Sequence, residues 1–316
     1  METYQSAFHQ QYAHLTDPHV RSLAWLLFSP DLLDEHADIW HHQIKTFQFS
    51  QEKQKSLHAW LNQLDAAATV LHEAVSAHQF LRLGHYAENL LAFYFKHEGL
   101  LYAHGLQVHD DLLGTVGEFD FLLFDPNGLV HLEIATKFYL FHQLAQNGKD
   151  ADLFDFLGPK LNDTLGAKME KIMHRQLALS RHEAAYKMLN ERVVEAKALI
   201  KGWFFYKSQT NYKLPIKGVA SNHCKGYWWT LDEFAQLAIP HALKLDRLDW
   251  LAPAQVGIDD VLEKELIIEV LHREFNLNNS PILVAIMKKN GDVMQEFCRG
   301  FVVPNDWESR AHQSLT

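Results

Sequence analysis

Gly117-Glu118-Phe119-Asp120-Phe121-Leu122-Leu123-Phe124-Asp125-Pro126-Asn127-Gly128-Leu129-Val130-His131-Leu132-Glu133-Ile134-Ala135-Thr136-Lys137-Phe138-Tyr139-Leu140 is the stretch from which the fold can be read. Two alternating runs flank the turn signal Asp125-Pro126-Asn127-Gly128. Successive side chains of a strand point to opposite faces, so Glu118, Asp120 and Leu122 share one side and Phe119, Phe121 and Leu123 the other. In the second run His131, Glu133, Ala135 and Lys137 point one way, and Val130, Leu132, Ile134 and Phe138 the other. With Asn127 and Gly128 as a two-residue loop, Pro126 faces Leu129 and Asp120 faces Ala135. Glu133 and Lys137 are then diagonal to Asp120, and Glu118 faces Lys137. Two acids and an ammonium converge on one patch, which suits a divalent cation held beside an attacking water. On a merely solvated hairpin face a cross-strand Glu-Lys pair contributes only about 0.2–1 kcal/mol.

Outward from the hairpin the patterns are helical towards the amino terminus. Apolar residues recur at helical spacing from Val20 to Phe28, before the stop Ser29-Pro30, and from Leu57 to Leu83. A further helix begins at Gly84-His85-Tyr86-Ala87-Glu88 and ends near Gly99, and Leu101 to Val108 reads as a strand. After Gly158-Pro159 a long helical pattern runs from about Thr164 to Ala196, and Ala198 to Tyr206 returns to strand composition. The expected core order is helix, three strands, helix, strand. The carboxyl-terminal third shows a break at Asp249-Trp250-Leu251-Ala252-Pro253, a helical run from Val261 to Glu274, and a hairpin of Ile282 to Lys288 and Val293 to Val303 around Asn290-Gly291. Three regions follow: a helical extension over 1–80, an α/β core over 81–210, and a mixed α+β elaboration over 211–316 packed on the core.

Glu88 shares a helical face with Leu91, Ala92 and Phe95, so its carboxylate points inward. Burying an unpartnered carboxylate costs several kcal/mol, so Glu88 requires a cation, hydrogen-bond donors or a proton. The order of elements and these residues resemble the PD-(D/E)XK nuclease superfamily. The resemblance implies metal-dependent phosphodiester hydrolysis, with Glu88 as the helix acid, Asp120 as the acid of the second strand and Glu133 as the acid of the third. Where that pattern has lysine this chain has Ala135, and Lys137 lies one same-face step further along.

Most of the chain also resembles an uncharacterised bacterial family, domain of unknown function family 1853. The matching segments include Leu83-Gly84-His85-Tyr86-Ala87-Glu88, Gly117 to Leu122, His131 to Leu140, His223-Cys224-Lys225-Gly226-Tyr227-Trp228-Trp229 and Phe301-Val302-Val303-Pro304. That family carries no function with it. The nuclease resemblance makes Glu88, Asp120, Glu133 and Lys137 the expected catalytic residues, with Asp120, Glu133 and Glu88 holding Mg2+ or Mn2+, which prefer hard oxygen ligands.

The formal net charge of −10 over 316 residues excludes a protein that is cationic all over, so contact with nucleic acid requires a local basic surface. Lys168, Lys171, Arg175 and His182 recur at helical spacing and are the expected phosphate-tracking stripe, backed by Met169, Ile172, Met173 and Leu177. Lys168 is also an alternative replacement for the missing strand lysine. The aromatic run from His223 to Trp229 offers either base stacking or core packing. Cys224 and Cys298 have no metal-ligand spacing and fit a reducing compartment, so the cytoplasm is the expected location. No stretch of about 18 apolar residues occurs, which argues against a membrane span. The 21 histidines lack zinc spacing, with Tyr186 standing where His182 would need its partner. Neither a phosphate loop nor a nucleophile elbow is present. The leading expectation is a metal-dependent nuclease acting on DNA or RNA. Its competitors are a nuclease-like binding or scaffold protein without chemistry, motivated by Ala135 and the acidic charge, and an enzyme acting on a small phosphorylated molecule.

Overall fold

The computed structural model describes residues 3–76, 82–112, 114–143, 150–208 and 215–315. Helices α1 (Tyr4–Tyr12), α2 (Pro18–Phe28), α3 (Gln51–Ala66), α4 (Thr69–Ser76) and α5 (Leu83–His97) come first. Strands β1 (Leu101–Asp110), β2 (Gly114–Asp125), β3 (Gly128–Phe141) and the short β4 (Phe156–Leu157) follow. Helices α6 (Leu165–Lys171) and α7 (Glu183–Met188) precede β5 (Val193–Lys207) and β6 (Lys225–Thr230). The remainder is α8 (Leu231–Ala235), β7 (His241–Lys244), β8 (Gln255–Gly257), β9 (Leu262–Glu263), α9 (Lys264–Leu277), β10 (Ile282–Asn290), β11 (Val293–Val303) and α10 (Trp307–Leu315). The chain is thus mixed α/β, and from α5 to β5 the order is helix, three long strands, the two-residue β4, helical segment, strand.

All strands join one mixed sheet with the main order β1-β2-β3-β5-β6-β11-β10-β7-β9. The first three are antiparallel, whereas β3, β5, β6 and β11 run parallel to one another. Carboxyl-terminal strands therefore continue the sheet of the central ones edge to edge.

Period-two alternation places the two apolar layers. Ile134, Phe138 and Leu140 of β3 and Leu199, Trp203 and Phe205 of β5 face a core shared with α1 to α5. Ala135, Tyr139 and Phe141, with Ile200, Phe204 and Tyr206, face a second core that includes Met169, Ile172 and Leu177. Both faces of the central strands are covered, as parallel strands require. Trp25 of α2 stacks on Trp203 at a centroid distance of 6.3 Å and fixes the helical layer to the sheet.

Three sequence expectations require correction. The hairpin loop is Pro126-Asn127, because Asp125 pairs with Gly128 and Phe121 with Leu132. Proline presets the turn dihedral, and the Asn127 N–H donates to Asp125 Oδ1 at 2.9 Å, the local bond that makes Asp a turn initiator. Continued outward, this register sets Asp120 against Glu133 rather than Ala135, and Glu118 no longer faces Lys137. In the carboxyl-terminal hairpin the turn is displaced the other way, one residue later than Asn290-Gly291, to Gly291-Asp292, since Asn290 pairs with Val293. The single long helix expected after Thr164 is instead α6, a π-turn over Ile172–Gln176, a 3₁₀ turn over Leu177–Arg181, and α7. The chain then turns at 189–192 and is already extended from Val193.

Gly202 lies opposite Lys137 in the β3–β5 ladder. Its φ of +150° is closed to side-chain-bearing residues, and an added Cβ would stand 1.8 Å from the Lys137 carbonyl oxygen. Gly202→Ala is expected to cost at least about 3 kcal/mol, measured as a fall in the urea unfolding midpoint. A midpoint unchanged from wild type would show that the two strands do not approach this closely.

Candidate active site

The ladder between β2 and β3 ends at Phe121 and Leu132. Beyond it the N–H of Ile134 donates to Asp120 Oδ2 at 2.9 Å, so a side chain takes the place of a backbone rung. The strands separate there, and Asp120 and Glu133 lie side by side in the opening, close enough for one proton to bridge them. Glu133 is 1% exposed. Its Oε1 accepts from His131 Nε2 at 2.7 Å, and its Oε2 accepts from Gln176 Nε2. Burial raises the pKa of both acids, and for Asp120 the charge of Glu133 adds to it. Two full negative charges at this spacing repel by several kcal/mol in a medium of effective dielectric about 20, so the pair shares a proton or meets a cation. Burial also pushes His131 down to about 4, which leaves a neutral imidazole donating to Glu133.

Glu88 approaches from α5, half-buried, with Oε2 3.1 Å from His85 Nδ1. Its pKa is raised first by burial, lowered by His85 and raised again by the charge of Glu118. Its charge reaches both Asp120 and Glu133. Among the described residues no three His, Cys, Asp or Glu side chains stand close enough to hold a metal ion as they are. Asp120 and Glu133 are therefore brought into contact, whereas Glu88 stands back as an electrostatic neighbour. The donor set still fits a hard divalent cation, because the two touching carboxylates are mutually repulsive and mostly removed from water.

Lys137 projects from the same face of β3 two same-face steps past Glu133. Burial first, and then the charge of Lys168, lower its pKa to about 8 against the opposing pull of Asp163, Asp120 and Glu88. Tyr139, one step further, donates its hydroxyl to Asp163 Oδ2 at 3.0 Å.

These groups line a cleft of about 850 Å³. Its walls come from the start of α5, the 158–163 loop, α6, and two carboxyl-terminal segments, Arg247 to Trp250 and Asn278 to Ile282. Lys168 and Lys171 line it, but Arg175 does not. The π-turn adds a residue to the turn between Lys171 and Arg175 and breaks the expected stripe. In the aromatic run Trp228 and Trp229 are buried core residues, so packing rather than base stacking accounts for them.

Sequence reasoning had His131 on the correct face but gave it no role, and missed Gln176, which only the π-turn directs at Glu133. It also missed Arg247 and Trp250, whose approach to the cleft is a tertiary fact with no local signal.

The site is thus a buried carboxylate pair beside a lysine, in a cleft of a mixed α/β protein. Residues 21–303 match the family model described as a domain of unknown function, DUF1853, and the chain belongs to that family. No curated protein and no solved structure matches it. Among the described residues no helix is long and apolar enough to cross a membrane.

The raised acids imply a direction for stability against pH. Carboxyls titrate near 4 in the unfolded chain, and in the fold Asp120 and Glu133 are both raised well above that, by burial and, for Asp120, by the charge of Glu133. Their contribution is complete below about pH 4 and is lost as pH climbs through the folded values. Lys137 acts in the opposite sense, its cost being fully present below about 8. In metal-free buffer Asp120→Asn is expected to raise Tm by several degrees at pH 8 and by little at pH 5. Equal shifts at both pH values would refute a buried, mutually repulsive pair.

Proposed function

We propose that this protein is a divalent-cation-dependent phosphodiesterase that hydrolyses the backbone of DNA or RNA. The reading is carried by one observation: Asp120 and Glu133 touch in a buried opening of the sheet, with Lys137 beside them in a cleft. The PD-(D/E)XK arrangement is the organisation we assign to the span from α5 to β5, and Mg2+ or Mn2+ is its cofactor. When bound, such an ion supplies Lewis acidity towards a phosphoryl oxygen and acidifies coordinated water.

The chain's own residues do the rest. Asp120 and Glu133 hold the cation, and Glu88 completes its neutralisation from α5. Ile134 N–H, His131 and Gln176 fix the two carboxylates so that their lone pairs converge before any ligand arrives. Lys137, poised near 8, donates to the attacking water or to the oxygen on which negative charge develops, and its low pKa lets it change protonation state near neutrality. Lys168 and Lys171 neutralise flanking phosphates.

A second reading, a nuclease-like binding protein without chemistry, is supported by Ala135 at the usual lysine position and by the two-carboxylate cluster. Incubation with labelled single- and double-stranded DNA and RNA in Mg2+ or Mn2+ separates the two. Cleavage abolished by EDTA is expected, with losses of at least about 10²-fold in Asp120→Ala, Glu133→Ala and Lys137→Ala. Cleavage that persists undiminished in the Asp120 and Glu133 variants would remove this site. Salt-sensitive binding without any cleavage would favour the second reading.

A further inference from the structure

One wall of the cleft belongs to the carboxyl-terminal part of the chain and is held by buried hydrogen bonds. Arg299, fully buried, makes a two-point bond to Glu296 at 2.6 and 2.7 Å. Its guanidinium also donates to the carbonyls of Trp250 and Ala252, and Arg21 Nη2 donates to the Pro253 carbonyl at 2.9 Å. These bonds clamp the backbone from 250 to 253 onto β11 and α2. Trp250 is thereby pressed between Phe138 and Phe301, at centroid distances of 5.3 and 5.2 Å. Phe138 faces the other side of β3 from Lys137 but also lines the cleft, so the wall is registered against the strand that carries the site.

On this pedestal lies Arg247, its guanidinium carbon 4.8 Å from the Trp250 ring centroid. It is exposed, lines the cleft and makes no ion pair among the described residues. Lys160, Lys168 and Lys171 line the same cleft and likewise pair with no carboxylate among the described residues. A protein of net charge −10 thus gathers, in the cleft of its carboxylate pair, four cations that pair with no carboxylate among the described residues. Arginine held flat on an aromatic ring loses little further freedom when it meets a phosphate, which suits it to grip a polyanion.

The shape sets which polyanion. A duplex presents its phosphates on the outside of a stiff rod with a persistence length of about 50 nm, so they meet the rim of a cleft rather than its floor. The whole cleft holds about 850 Å³, and Glu133 at its base is 1% exposed. A stiff duplex cannot bring a phosphate down between two walls to such an acid, whereas a flexible strand can thread between them.

Resting on the phosphodiesterase reading, we propose that the cleft takes one flexible nucleic-acid strand and not an intact duplex, and that Arg247 on Trp250 grips a phosphate of that strand from the carboxyl-terminal wall. Binding is measured by fluorescence anisotropy in EDTA, where cleavage is suppressed, with a fluorescein-labelled oligothymidylate of about 12 nucleotides and a duplex of equal length. The single strand is expected to bind at least about 10-fold more tightly. Arg247→Gln is expected to weaken single-strand binding about 5–10-fold and to lower the slope of log K against log salt by about 0.7, the loss of one phosphate contact, while Arg247→Lys keeps the slope. Equal affinity for the duplex, or an Arg247→Gln slope identical to wild type, overturns the proposal. Single-strand binding with these signatures in a protein that cleaves nothing would instead sink the phosphodiesterase reading and leave this inference standing.

Discussion

Two carboxylates in contact at the place where β2 and β3 separate set the terms for everything around them. A buried acid pair is tolerated only when its remaining lone pairs are occupied and its charge is reduced. The chain meets the first demand with the Ile134 N–H on Asp120 and with His131 and Gln176 on Glu133. The second demand is left to a proton, to Lys137, or to an ion. A site that can be neutral or charged at nearly equal free energy is one that a cation can enter without first breaking an ion pair.

The central strands are sealed by helical layers on both faces, so the pair can be approached only where the layers leave a gap. The same sheet runs on through β6, β11 and β10, and this continuity makes the distant Arg299–Glu296 pair relevant to the site. A fully buried ion pair contributes little net stability compared with apolar packing. Its value here is geometric, because Arg299 collects backbone carbonyls of residues 250 to 252 that have no strand to bond.

Much of this was legible in the sequence, and the residues missed share a physical cause. Alternation in β3 and β5 and the helical face of α5 are imposed by local geometry, so Glu88, Glu133 and Lys137 could be assigned to faces correctly. Alternation around Phe119 was less reliable: it packs edge-on to His131 at 4.6 Å while Phe121 packs on Phe95 at 5.2 Å, so the two lie in different clusters. Register failed by one turn residue, since Pro126-Asn127 and Asn127-Gly128 are both credible loops and only the Asp125–Asn127 bond decides between them. The unbroken helix after Thr164 failed because apolar spacing does not reveal a π-turn. That turn redirects Gln176 towards Glu133 and carries Arg175 away from the cleft.

Alanine at 135 and lysine at 137 follow from packing on the same face. Ala135 is 8% exposed and belongs to the apolar cluster that contains Met169 and Ile172. A lysine there would bury its ammonium beneath the α6 layer, at a cost of several kcal/mol unless paired. Two residues on, the period of the strand returns to the same face, where both positions line the cleft but Lys137 is only half-buried and stands near Lys168 and Asp163. Moving the cation by one same-face step, about 7 Å along the strand, keeps it on the carboxylate side while taking it out from under the helix. On the reading proposed above, the acids and the lysine act on one ligand from neighbouring points of the same sheet face.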